Sequence, residues 1–167
     1  MAALEEAILS ARAVFVVGAG RSGLVGCCFA MRLAHLGLRG HVVGETVTPR
    51  VEPGDVVVAL SGSGETPTTC AVEEAAAQAG AKVIAITGAA DSPLARAAHA
   101  KVVIPTSTLV RRSSGEGGKA DGVSSAQYGG SLFEQALLVM LDTIALRLQS
   151  RLAQTSAEMD ARHANLE

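Results

Sequence analysis

The chain has 167 residues, of which 49% are hydrophobic, 18% charged and 2% aromatic, with mean hydropathy +0.33 and formal net charge −2. This length predicts one domain with a sizeable core, and the apolar content excludes a disordered chain. Lys+Arg 14 against Asp+Glu 16, no basic block and only one Tyr and three Phe exclude a nucleic-acid binder, which needs a cationic track or stacking platforms.

The acidic opening Met1-Ala-Ala-Leu-Glu-Glu6 lacks a cationic leader region, so no signal peptide is expected. A first helix is predicted over about Leu4–Ala11, and Ala13–Val17 is an apolar run suited to a strand covered on both faces. Gly18-Ala-Gly-Arg-Ser-Gly23 reads as a turn, followed by a helix over Leu24–Leu36. Cys27, Cys28 and Cys70 have neither disulfide nor metal spacing. They read as small buried thiols of a cytoplasmic protein. His41–Gly44 and Asp55–Leu60 are the next strands, and Ser61-Gly-Ser-Gly-Glu-Thr66 is a second glycine-rich turn. Pro67 belongs in a first helical turn, which makes Thr66 the N-cap of a helix ending near Gly80. A strand over Lys82–Thr87, a short helix from Asp91-Ser-Pro93 to about Ala98 and a strand over Val102–Ile104 complete the alternation.

From Pro105 to Gly130 no period survives, which predicts a mobile loop over a site or a segment ordered by a partner chain. Arg111 and Arg112 within it read as solvent-facing. Ser131 to about Ser150 is a long helix, and a shorter one over about Ala157–Arg162 precedes His163-Ala-Asn-Leu-Glu167. The apolar stretch Ala136–Leu146 is interrupted by Asp142 and is too short to span a bilayer, so no membrane partner is expected. Strand–helix alternation predicts an α/β fold, a parallel sheet with helices on both faces. Both glycine turns then lie at the carboxyl edge of the strands, where such sheets bind ligands.

The first turn, Gly18-x-Gly20-x-x-Gly23, fits the dinucleotide fingerprint, and Glu45 stands where a ribose acceptor would. The same glycines serve any tight strand-to-helix turn, and no second domain is present to hold a hydride acceptor. The second turn is more telling. Ser61, Ser63 and Thr66 ring a loop whose Gly62 and Gly64 free backbone amides to point inward, at a helix N-terminus that favours an anion. A phosphate monoester suits it, and the absence of Gly-Lys-Ser/Thr disfavours a nucleoside triphosphate. The bland alternative is that these hydroxyls only cap the helix and satisfy turn amides.

Gly18–Gly23 together with Ser61–Thr66 resembles the sugar isomerase (SIS) domain family. Within it, Val43-Gly-Glu-Thr-Val-Thr-Pro49, Ser131-Leu-Phe-Glu-Gln135 and Arg162-His-Ala-Asn-Leu-Glu167 are similar to the 6-phospho-3-hexuloisomerases. The resemblance runs over nearly the whole chain. It implies a single SIS domain over 1–167: a three-layer α/β/α sandwich with five parallel strands in flavodoxin-like order, and 151–167 as a helix and tail near the active site. It also implies interconversion of D-arabino-3-hexulose 6-phosphate and D-fructose 6-phosphate, without cofactor or metal, by a cytoplasmic homotetramer in the ribulose monophosphate route of formaldehyde fixation. Gln127-Tyr-Gly-Gly130 departs from the family's Gln-Pro-Met-Gly, and the loop before it is longer.

Moving a ketone between C3 and C2 needs a base that shuttles a proton through an enediol, and a carboxylate in a buried setting can serve. Glu134 is the candidate base, although Ser131-x-x-Glu134 also spells a capping box. His163 is the candidate acid partner, since imidazole titrates near neutrality; a solvated tail histidine is the alternative. By similarity with sugar isomerases it comes from a neighbouring subunit. His35, His41 and His99 read as structural. Gly20, Arg21 and Ser22 are candidate substrate contacts, Arg21 for a sugar hydroxyl or the phosphate, or else for a subunit bridge. Glu45 and Thr46 are candidate sugar contacts or a plain strand-end turn. A non-catalytic sugar-phosphate-binding regulatory module is the rival on the same fold.

Overall fold

Two apolar faces on every central strand force a layered structure. In a computed structural model, which describes residues 1–106 and 125–166, the chain runs α1 (Ala2–Ser10), β1 (Val14–Gly18), α2 (Gly20–His35), β2 (Gly40–Val42), β3 (Val56–Ser61), α3 (Pro67–Gln78), β4 (Lys82–Thr87), α4 (Pro93–Ala97), β5 (Ala100–Val103), α5 (Ser131–Arg151) and α6 (Ser156–Asp160). The five strands are all parallel, in the order β2-β1-β3-β4-β5. The three-layer sandwich and its strand order are those expected from the sequence.

Side chains alternate across each strand, so one strand feeds two cores. Val14, Val16, Val56, Val58, Leu60, Ile84 and Ile86 face a cluster built with Leu4, Ile8, Phe29, Leu33, Phe133, Leu137, Leu141 and Ile144 from α1, α2 and α5. Their neighbours Phe15, Val17, Val57, Ala59, Val83 and Ala85 meet Ala76 of α3 and Leu94 of α4 on the other face. Helix α2 lies close to the sheet because Gly23 and Gly26 carry no Cβ. One added at Gly23 would stand 2.5 Å from the Gly18 carbonyl oxygen, and one at Gly26 would stand 2.8 Å from Val16 Cγ1.

Several boundaries differ from the sequence reading for local reasons. Gly20–Gly23 form the first turn of α2 rather than an open loop, as the 3.4 Å bond from the Gly23 N–H to the Ala19 carbonyl marks. None of the thiols is buried, against expectation: Cys28 is exposed and Cys27 and Cys70 are partly covered. Of the aperiodic Pro105–Gly130 stretch, residues 107–124, with Arg111 and Arg112, lie outside the described residues. Among the described residues no helix is long and apolar enough to cross a membrane.

Candidate functional site

The chain turns in opposite directions after β1 and β3: α2 packs on one face of the sheet and α3 on the other. A crevice opens between the carboxyl ends of two such strands, at the switch point of this topology. Both glycine-rich turns border it, because β1 and β3 are neighbours with Gly18 beside Leu60. Gly20 begins α2 with φ +56° in open space, Arg21 is exposed and Ser22 is buried behind it.

The second turn is braced from within and from behind. The Ser61 and Thr66 hydroxyls lie 2.8 Å apart, and the Gly64 N–H donates to Ser61 Oγ at 3.0 Å. The Glu65 N–H donates to Ser63 Oγ at 3.2 Å. Two expectations are thereby corrected. The Gly64 amide does not point inward, since Ser61 takes it up. Thr66 is the N-cap by position, but its hydroxyl turns to Ser61 and makes no capping bond. Gly64 is needed for conformation and space: its φ is +63°, and a Cβ there would stand 2.0 Å from Ser92 Oγ. Thr87, Gly88 and Ser92 are the residues the sequence reading missed. The Gly88 N–H and Thr87 Oγ1 both donate to the Gly62 carbonyl, at 2.9 and 3.2 Å. The signal was present in the register: Thr87 ends β4 directly opposite Ser61 at the end of β3.

Helix α5 delivers Glu134 to the same edge. Its N-cap is Gly130, not Ser131, and the Ser131 hydroxyl donates instead to the Tyr128 carbonyl at 2.7 Å. The capping box is therefore not formed, and Glu134 is left for other work. It pairs with the Arg21 guanidinium, the glutamate side chain 16% and the arginine side chain 66% exposed. An arginine from the first turn of α2 and a carboxylate from α5 thus meet across the crevice. In the departing segment, Tyr128 is 94% exposed. Glu45 and Thr46 lie exposed in the turn after β2, one strand further out along the edge, where the Thr48 N–H donates to the Glu45 carbonyl at 3.0 Å.

His163 stands elsewhere in the same chain. Its ring stacks on that of His35, centroids 4.9 Å apart and planes 27° apart, at the C-terminal end of α2. Arg21 opens that helix, so the two ends are separated by about 20 Å at the α-helical rise per residue. The structure brings Gly20, Arg21, Ser22, Glu134 and the 61–66 turn to one edge. Within one chain it does not bring His163 there. His41 packs against Phe15 at 5.1 Å, and His99 Nδ1 accepts the Val83 N–H at 3.1 Å, so both have structural work.

Helices α2, α3 and α5, whose N-termini border the crevice, begin without a side-chain capping bond. Their first N–H groups have no intrahelical acceptor, and the partial positive charge there suits an anion. In the first turn of α3, Thr69 Oγ1 is buried and has no partner. Burial and the nearby Glu73 and Glu65 carboxylates push the Cys70 thiol up, so it stays protonated and is no nucleophile. Among the described residues no cluster of His, Cys, Asp or Glu could hold a metal ion. The arrangement can therefore bind an anion at helix ends and hold a carboxylate and a guanidinium beside it.

Comparison with known proteins places the chain in a family. The SIS domain model matches residues 7–114. A 3-hexulose-6-phosphate isomerase of Mycobacterium gastri is 42% identical over 167 residues, 100% of this chain and 80% of the relative. One from Bacillus subtilis is 38% identical over 98% of this chain and 85% of its own. A crystal structure of a Methanococcus jannaschii protein, whose inferred molecular function is 3-hexulose-6-phosphate isomerase, superposes with TM-score 0.86 at 31% identity. It covers 99% of this chain and 85% of that one.

Proposed function

This chain belongs to the SIS domain family, and on that premise we propose that it is a 6-phospho-3-hexuloisomerase interconverting D-arabino-3-hexulose 6-phosphate and D-fructose 6-phosphate. The observation that carries the reading within the fold is Glu134, released from capping and facing Arg21 at the phosphate-suited edge.

In this reading the phosphate dianion sits at the N-terminus of α3. It accepts bonds from the Ser61, Ser63 and Thr66 hydroxyls, from the Gly62 and Ser63 amides and from those of the first helical residues. Gly20 and Ser22 border it from the β1–α2 turn, and Glu45 and Thr46 meet sugar hydroxyls from the β2 end. Glu134 removes the C2 proton; the electron pair forms the C2–C3 double bond, and the ketone oxygen at C3 takes a proton. The enediol then loses the proton of its C2 oxygen, and the carbon at C3 receives the one Glu134 holds. Arg21 stabilises negative charge developing on these oxygens, and His163 exchanges their protons. Each carbon and oxygen ends balanced, so the chemistry needs no cofactor.

His163 serves a neighbouring copy in a homotetramer whose active sites lie near subunit interfaces. Support for such assembly comes from Leu24 and Met31 of α2, 67% and 47% exposed, and from Val139 and Leu146 of α5, each 66% exposed. The place of action is the cytoplasm, in the ribulose monophosphate route. The test is purified protein given fructose 6-phosphate, or the hexulose ester generated in situ, with product followed by a coupled assay. Binding without turnover would make it a sugar-phosphate-binding regulatory module instead. Light scattering on the same sample reads the assembly, and particles of single-chain mass would overturn the tetramer.

A further inference from the structure

The tail that carries His163 is docked, not loose. Arg162 Nη1 lies 3.0 Å from the His35 carbonyl oxygen, 2.7 Å from Gln154 Oε1 and 3.3 Å from the Glu158 carbonyl oxygen. Its guanidinium packs over Gly37, where an added Cβ would stand 3.2 Å from Arg162 Cζ. A cation on the last carbonyls of α2 is also favoured by that helix's negative end. Beside it the buried His35 ring, 6% exposed, lies stacked against His163. The reaction as described gives this buried imidazole no part, and among the described contacts its Nδ1 meets only the edge of the Arg32 guanidinium, at 3.5 Å.

We propose that His35 is a positioning residue: its ring is the platform that fixes the plane and direction of the His163 imidazole, with Arg162 as the clamp that holds the backbone in register. The inference rests on the reading that His163 acts in the isomerisation. Burial, the adjoining His163 and the Arg32 guanidinium all push His35 down. His35 is therefore held towards its neutral form. The charged groups around the pair are Arg32 on α2, with Nη1 3.5 Å from His35 Nδ1, Asp160 on α6 and Arg162 on the tail; α5 contributes the neutral Gln149.

The test compares His35→Ala, His35→Phe and His35→Gln, each alone and with His163→Asn, in the full assembled protein. Steady-state rates with fructose 6-phosphate and the NMR shifts of the His163 ring are recorded. His35→Ala is expected to lower kcat about tenfold or more, with KM within about twofold, because a misdirected group costs turnover rather than binding. His35→Phe, which keeps a ring to stack on, should recover most of the rate and the ring-current shift of His163; His35→Gln should recover neither. In the His163→Asn background His35→Ala should have no further effect. If His35→Ala keeps full kcat while His163→Asn is impaired, the positioning role is overturned and the isomerase reading stands. If His35→Ala costs the same factor in both backgrounds, its effect is merely structural and the inference is equally overturned. Full activity in His163→Asn removes His163 from the reaction and this inference with it. Should His35→Ala not fold, the contrast between Phe and Gln decides.

Discussion

The two ends of α2 are built on opposite principles. At the N-terminal end the helix starts on Ala19 with no capping side chain, and the neighbouring starts of α3 and α5 are equally bare. At the C-terminal end, Arg162 covers the His35 carbonyl and His163 covers its ring. Also on the amino edge of the sheet, Arg12 holds Asp55, at the start of β3, through two 3.0 Å bonds. Side-chain caps are found on the two short helices, α4 by Ser92 and α6 by a complete Thr155–Glu158 capping box, while α1 starts on Met1 without one. An uncapped terminus forgoes about 1 kcal/mol of stability. Three of them, those of α2, α3 and α5, meet along the crevice, where an anion would take up their first N–H groups.

The comparison separates function from stability, and substitutions at the two edges should separate the same way. The largest effect belongs to Glu134→Gln. It keeps the side chain's shape and one contact to Arg21 but cannot take a proton, so kcat should fall by about 10²–10⁴. Fructose 6-phosphate binding by calorimetry and the melting temperature should stay near wild type. A variant that turned over normally would place the base elsewhere.

Next in size, and opposite in kind, is Asp55→Asn. Asp55 is 1% exposed, and its carboxylate also accepts the Glu52 N–H at 2.8 Å. Burial pushes this carboxyl up, but the bond and charge of Arg12 and the Glu52 and Ala13 amides outweigh it, so the value lies below the ordinary one. Loss of the charge should cost about 2 kcal/mol, at the low side for a buried pair because Arg12 is half-exposed, or roughly 4–8 °C in Tm. The sign with pH follows. A lowered folded value means the contribution is complete above the unfolded carboxylate value of about 3.9 and fades as pH falls through the lowered one. Melting curves of both proteins should therefore draw together as pH falls below the unfolded carboxylate value, and a gap that did not narrow in acid would contradict the ion pair. Turnover per folded molecule should be unchanged.

Much of this contrast was legible in the sequence. The sequence places β4 at its observed bounds because Lys82 and Thr87 bracket an apolar run rich in β-branched residues. Pro67 fixed the start of α3 for the same local reason. What escaped reading depended on distant partners. Whether Ser131-x-x-Glu134 caps its own helix turns on Arg21, which lies 113 residues earlier and draws Glu134 away. The bracing of the 61–66 turn by Thr87, Gly88 and Ser92 requires knowing that β3 and β4 are neighbours. Thr66 was placed rightly as a cap position, but the competing hydroxyl of Ser61 decided what its side chain does.

A smaller effect is expected for Ser61→Ala. Ser61 is 2% exposed and serves two partners, the Gly64 amide and the Thr66 hydroxyl. Its removal frees those groups to shift and deletes one phosphate donor, so KM should rise about tenfold while kcat changes less. Inorganic phosphate, as a competitive inhibitor, should weaken by a similar factor. A KM that did not move would take the anion out of this turn and leave the bare helix ends without their proposed ligand.

The smallest effect on stability, and the sharpest on the comparison, belongs to Arg162→Ala. Two of the three acceptors of its Nη1 are exposed and the His35 carbonyl is partly buried, so most of the bonding exchanges with water and the summed loss should be about 1 kcal/mol, a Tm shift of roughly 2–4 °C. The local consequence is larger than the global one. Without the clamp the tail keeps fewer contacts, among them the His35 ring and the short α6, and segments held by few contacts open far below the global unfolding free energy. Amide exchange should thus accelerate over residues 160–166 while the protection of β1, β3 and β4 is retained. If the tail presents His163 to a neighbouring crevice, kcat should fall with Glu134 intact. That would tie the stapled end of one α2 to the bare end of another. Exchange that quickened in the tail with turnover untouched would show the stapled end to be for stability alone.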